Sequence, residues 1–345
     1  MYKKQNPKKI LLFLFILVIL YEYNNKLINI KLKININKIN IAIYANSIKN
    51  GGVERQTTLI LNNFCKVRIF NLYLFTRKNK EKDEYIIDKS IKRIIIKNNL
   101  IQALKQNNID ILIYQFYIAK EIVELNKLNK TKTIFINRSC FLHWIYYELY
   151  YFFKTVYKAY KKSRYVISLI PFENDYLFKR WGINSILMNN FIPYEPNHVK
   201  PSDLSSKTIL MIGRGDDPIK RFELGIYTMK YIVMEIPDCE MKIICNTDTI
   251  HNLNNLAFKL NLNNCIKFIG YTPNPDNFYK NASMHLFMTK AEAFPNILSE
   301  TLSYGIPNIL AGLDYVSTAK GGTVIIYDDS PISIASIAIN HYIYL

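Results

Sequence analysis

TILMIGRGDDPIKRFELGIYTMKYIVMEIPDCEMKIICN, residues 208–246, decides the architecture. TILMIG (208–213) and MKIICN (241–246) are unbroken apolar runs, the pattern of strands covered on both faces in a parallel sheet. Between them the spacing predicts a helix from about Phe222 to Glu235. A strand, a helix and a strand in that order form a right-handed crossover unit.

The same unit recurs on either side. CIKFIG (265–270), MHLFMT (284–289), PNILAG (307–312) and TVIIYDD (323–329) continue the alternation, with a polar helix after MKIICN and a short helix after Pro295. Upstream, INIAIYA (39–45), VRIFNLYLF (67–75), RIIIK (93–97), DILIYQF (110–116), KTIFIN (132–137) and YVISLI (165–170) form another series, separated by helix-length stretches such as 54–64 and 118–129. Between the two series MNNFIPYEPNHVKPSDLSS (188–206) breaks into Pro, Asn and Ser. The expectation is an α/β protein with two Rossmann-like domains facing a cleft, over 39–192 and 193–345, after a basic N-terminus and linker over 1–38.

Composition narrows the function classes. Half of the 345 residues are hydrophobic, so the chain buries a sizeable core. The net charge of +18 comes from lysines scattered among Asn, Ile and Tyr rather than gathered in a stripe, and nucleic acid is not the expected partner. Five cysteines without paired spacing suggest neither a disulfide framework nor a zinc site. After Lys3, Lys4, Lys8 and Lys9 comes ILLFLFILVILY (10–21). Twelve residues reach about 18 Å against a hydrocarbon core of roughly 30 Å, so flanking residues must help it span. A secretory signal peptide shares this pattern, but no A-x-A type cleavage site follows. The reading adopted is an uncleaved single-pass anchor near 10–23 in an endomembrane, with the cytosolic face favoured over the lumenal one for the catalytic domains.

Chemistry concentrates in AEAFPNILSETLSYGIPNIL (291–310). Pro295 suits a first helical turn, Gly305 the left-handed position past its end, and Pro307 stops the helix. Glu292 then lies in the loop after strand MHLFMT, at the carboxyl end where open parallel sheets bind ligands, and Glu300 lies inside the helix. The amides at that helix start, around Asn296, Ile297 and Leu298, offer donors to an anion. GRGDDPIKRF repeats the geometry: Gly213, Arg214 and Gly215 follow a strand, and Lys220 precedes a helix, so two cations are available to a pyrophosphate. Near the start of the chain, YANSIKNGGVERQTT places Gly51 and Gly52 between a strand and a helix, where a backbone approaches a ligand closely.

Taken in order, GGVERQT, MIGRGDDPIKRF, FIGYTPNPDNFYKNAS and EAFPNILSETLSYGIP resemble the retaining nucleotide-sugar glycosyltransferases of family four, the group 1 transferases with the two-domain GT-B fold. The resemblance covers about 39–329. It implies a sugar transferred from a nucleotide-diphosphate donor to an acceptor hydroxyl, with no cofactor and no metal. By it, Arg214 and Lys220 hold the donor diphosphate, Glu292 touches the transferred sugar, Glu300 bonds the ribose, and Gly51, Gly52 and Gly213 border the donor. The asparagine, isoleucine and leucine at 296–298 belong to the same donor site. Asp216, Asp217, Asp328 and Asp329 read as turn or capping residues. This sequence departs from the family where a histidine often follows the strand matching KTIFIN: it has Arg138, with His143 five residues on, both placed on the acceptor side. The chain also stops at Leu345 without the family's closing helices, so its second domain reads as truncated. The competing reading is therefore a catalytically silent membrane relative with a binding or scaffold role.

Overall fold

The computed structural model describes residues 38–49, 51–82, 84–96, 99–115, 131–138, 150–194, 199–215, 217–290, 292–311 and 322–343. The apolar run at 10–21, the helix expected over 118–129, Cys140, His143 and Asp216 lie outside the described residues. Among the described residues, no helix is long and apolar enough to cross a membrane.

The first half runs β1 (Ile39–Ala45), α1 (Gly52–Phe64), β2 (Phe70–Thr76), β3 (Lys92–Ile95), α2 (Leu100–Gln106), β4 (Ile111–Tyr114), β5 (Lys132–Ile136), α3 (Tyr150–Lys162), β6 (Tyr165–Ser168), α4 (Pro171–Trp181) and β7 (Ile186–Leu187). The second runs β8 (Thr208–Ile212), a 3₁₀ turn (Pro218–Lys220), α5 (Phe222–Glu235), β9 (Glu240–Ile244), α6 (Thr247–Lys259), β10 (Ile266–Ile269), α7 (Asp276–Lys280), β11 (Met284–Phe287), α8 (Asn296–Ser303), β12 (Asn308–Ala311), β13 (Thr323–Ile326) and α9 (Pro331–Ile343). Every strand pairing is parallel.

The sheet orders are β3-β2-β1-β4-β5-β6-β7 and β10-β9-β8-β11-β12-β13. Each chain path starts in mid-sheet, winds to one edge and then returns to fill the other side. The reversal falls between β1 and β4 in the first sheet and between β8 and β11 in the second, and at such a reversal the flanking loops diverge to leave a crevice. Central strands explain the apolar runs: Ile111–Tyr114 and Met284–Phe287 are buried at every position. In the first half, separate clusters around Tyr114, Phe135 and Tyr160 and around Ile41, Leu61 and Leu74 form the main packing.

Local chemistry sets the site-bearing elements. α8 ends where its code says it should, with Gly305 at φ 72°, a left-handed conformation that costs glycine nothing. α5 presses so closely on β8 that a Cβ on Gly225 would meet Met211 Sδ at 2.1 Å. Residues beyond TVIIYDD, to which the sequence reading assigns no element, form α9, which lies against α5 and contributes Ile334, Ala335 and Ala338 to the second core.

Candidate active site

Both reversal points carry residues singled out in the sequence, and Gln115 joins them at the first. Arg214 follows β8 and Glu292 follows β11, so they flank one crevice; Gly51 and Gly52 follow β1, and Gln115 follows β4, at the other. The chain between β8 and α5 is shaped by Asp217, whose carboxylate accepts from the Ile219 amide at 3.1 Å and pairs with Arg214 at 2.8 Å. Gly215 is needed there for space, because a Cβ would fall 2.2 Å from Thr249 Oγ1. Gly213 has no such demand, its nearest neighbour to a built Cβ being Phe222 at 3.4 Å.

Lys220 closes the 3₁₀ turn and ion-pairs with Glu292, both side chains about four-fifths covered. Two contacts fix this approach. Lys290 N donates to Ile219 O at 2.9 Å, tying the loop after β11 to the turn. Arg221, at φ 50°, donates to Met288 O and pairs with Asp329. A non-glycine residue held left-handed costs of order 1 kcal/mol, which these bonds offset. Asp217 and Asp328 act as turn caps, as expected, Asp328 accepting from Ser330 N at 3.0 Å. Asp329 instead holds Arg221.

Glu300 is placed differently from Glu292. Only 3% exposed, it accepts from Arg55 Nε at 2.9 Å and from Tyr279 OH at 2.6 Å. Burial raises its pKa, and Arg55 and Tyr279 pull it back. Burial also opposes the Arg55 charge, but Glu300 overcomes that and keeps the guanidinium protonated. Arg55 belongs to α1, so this buried pair joins the two halves. Asn296 joins them again: Nδ2 donates to Gly52 O at 2.9 Å, and Oδ1 accepts from Gln56 at 3.1 Å and Asn190 at 2.8 Å. Gln56 also clasps the Phe191 backbone, donating to its carbonyl at 2.8 Å and accepting from its amide at 2.9 Å. Ala293 is buried within a first-half cluster. Glu54 faces Arg214 across the seam; burial raises its carboxyl, and its own amide and Arg214 oppose the rise.

The structure thus brings Lys220 and Glu292 together, sets Arg214 at the same crevice, and turns Glu300 and the Asn296 side chain towards the first half. Leu298 is buried and Ile297 half-buried, both in core clusters, so only their amides at the start of α8 face outward chemistry. The room at Gly52 is taken by Asn296, whose Nδ2 would lie 3.1 Å from a Cβ there. Arg138 follows β5 and donates to Gln115 Oε1 at 2.7 Å and to Asn190. Sequence reasoning did not single out Arg55, Gln56, Gln115, Asn190, Arg221 or Tyr279; of these, Arg55 and Gln56 stand inside GGVERQT and Arg221 directly follows Lys220.

Residues 196–316 match the model of the family described as glycosyl transferases group 1. This chain carries a group 1 glycosyl transferase domain. Among curated proteins, the chain is similar to an uncharacterized glycosyltransferase of Haemophilus influenzae, 27% identical over 124 residues, which are 34% of this chain and 35% of the relative. The chain thus matches about a third of that relative's length. Among solved structures it is similar to sucrose-phosphate synthase from Thermosynechococcus elongatus, with TM-score 0.68, 14% identity, and coverage of 88% of this chain and 90% of that one. The Anabaena protein HepE, solved in complex with UDP-glucose, gives the same TM-score, identity and coverages. At that identity the likeness is one of fold, and the fold is the two-domain GT-B arrangement. Arg214, Lys220, Glu292 and Glu300 all fall inside the group 1 match, while Arg55, Gln56 and Arg138 lie in the half that precedes it.

Proposed function

We propose that this protein transfers a sugar from a nucleotide-diphosphate donor to an acceptor hydroxyl with retention of configuration, and that it does so from a membrane held by the N-terminal apolar run. The observation carrying the proposal is the convergence of Arg214 and the Lys220–Glu292 pair on the reversal point of the second sheet, inside the group 1 match. UDP-glucose in HepE supports a donor of this class.

In the chemistry proposed, the bond from the anomeric carbon to the diphosphate breaks as the bond to the acceptor oxygen forms on the same face. The acceptor proton passes to a departing phosphate oxygen. Negative charge grows on the diphosphate during this step, so cations there bind the transition state more strongly than the ground state. Arg214 and Lys220 supply that charge without a metal or cofactor. Lys220 leaves Glu292 for the phosphate, and Glu292 is freed to accept from a sugar hydroxyl. Glu300 already accepts one bond at each oxygen, so ribose hydroxyls would be second partners beside Arg55 and Tyr279.

The test is a thermal-shift panel of UDP and GDP sugars on the full chain. At least one is expected to raise the melting temperature, with the shift lost in Lys220→Ala and unaffected by EDTA. A panel without any shift would remove the donor from the account.

A further inference from the structure

The basic residues at the seam differ in how their charge is met. Arg55 has Glu300, Lys220 has Glu292 and Arg214 has Asp217. Among the described residues, Arg138 is bonded to two neutral carboxamides, through Nε to Gln115 Oε1 and through Nη1 to Asn190 Oδ1, and no carboxylate there pairs with it. Its side chain is half-buried, and that burial disfavours its charged form. A guanidinium presents five N–H donors, so the outer edge of the fork remains available.

Both carboxamides are themselves fixed. Gln115, buried at the end of β4, donates to Thr57 Oγ1 at 2.7 Å. Asn190 donates to Phe294 O and Asn296 Oδ1, each at 2.8 Å. Arg138 is therefore held rigidly on the first half, two bonds from the loop that carries Glu292. An arginine taken partly out of water and preorganised on neutral partners is well placed for a ligand that supplies the anion.

We propose that Arg138 is a specificity-determining residue that receives a second anionic group of the substrate, a carboxylate or phosphate borne by the transferred sugar or by the acceptor. The diphosphate does not meet this need, because its cations lie across the seam after β8 and in the 3₁₀ turn. The planar fork matches either anion in a bidentate pair. This inference rests on the transferase reading for the identity of its ligand, though not for the existence of the anion site.

The experiment titrates the full chain with matched charged and neutral probes. UDP-glucuronate is compared with UDP-glucose, and glucose 6-phosphate with glucose on the UDP-saturated protein. One charged probe should bind at least about tenfold more tightly than its neutral partner, as a charge-assisted pair predicts. The glucuronate pair responds if the acid is on the donor, the phosphate pair if it is on the acceptor. In Arg138→Gln that preference should fall to within about twofold while UDP affinity changes by less than about threefold, and Arg138→Lys should retain part of it. Equal binding within both pairs, or a preference that survives Arg138→Gln, overturns the proposal. If UDP itself does not bind, the transferase reading fails separately. Free glucuronate and glucose 6-phosphate against glucose, without nucleotide, then decide the anion site by the same criteria.

Discussion

Arg55→Met tests whether the two halves are locked by the buried pair with Glu300. The variant keeps an unbranched apolar stem and removes the guanidinium, leaving a carboxylate that is 3% exposed with Tyr279 as its remaining side-chain donor among the described residues. Breaking a buried pair by deleting one partner costs about 3–5 kcal/mol, because the remaining charge stays desolvated. The loss should depend on pH. Glu300 has a folded pKa raised above its ordinary value, so its contribution to stability is fully present below the unfolded pKa and is lost as pH rises through the folded one. Removing Arg55 raises that folded pKa further, at about 1.4 kcal/mol per unit. The penalty of Arg55→Met should therefore be largest at neutral pH and shrink towards pH 4.5. Urea unfolding followed by circular dichroism at several pH values, with Glu300→Gln and the double variant closing a cycle, reads both effects. The cycle should show a coupling of at least about 1 kcal/mol. A penalty below about 1 kcal/mol, independent of pH and additive with Glu300→Gln, would refute the reasoning.

Three further outcomes are expected. Lys220→Ala should weaken nucleotide-sugar binding by about 10–100-fold in calorimetry, the worth of a charge-assisted bond, whereas exposed Arg214→Ala should weaken it less. Glu173 is buried to 1% and accepts from Asn137, Tyr160 and the Leu169 amide, yet burial pushes its pKa up to about 7. Its stabilising share is thus full below pH 4.5 and lost as pH rises through 7, a change of up to about 3 kcal/mol that Glu173→Gln should abolish in urea midpoints at pH 5 and pH 8. Gly305→Ala meets no atom within 4 Å, so its cost should be the backbone term alone, about 1–2 kcal/mol by the same assay.

Much of this was legible because burial on both faces of a parallel sheet writes itself as apolar runs. INIAIYA gave β1 at its observed bounds, and Phe222 to Glu235 gave α5. β7 escaped because two residues, Ile186 and Leu187, make no periodic signal. α9 escaped because PISIASIAINHYI is apolar on most of its circumference, which blurs the helical period. At the site, strand-end positions exposed Arg214, Lys220 and Glu292 through local pattern. The seam was not legible, since Gln56 meets Phe191 and Asn296 across 135 and 240 residues of chain. Nothing local to GGVERQT distinguishes a donor-facing glutamine from one that clasps the Phe191 backbone and meets Asn296 in the other half. For the same reason Glu300, read as a ribose ligand, was seen without Arg55.

The central claim is that Arg214, Lys220 and Glu292 form the working end of a nucleotide-sugar transferase, and release of free nucleotide tests it most directly. Purified full chain, incubated with each UDP and GDP sugar with and without simple acceptor glycosides, should liberate UDP or GDP from one donor. That release should fall by at least about 100-fold in Lys220→Ala, the loss expected when a charge on the leaving group goes unmet. A wild-type protein that binds nucleotide sugars but releases no nucleotide from any of them, or a Lys220→Ala variant that releases it at the wild-type rate, would contradict the account.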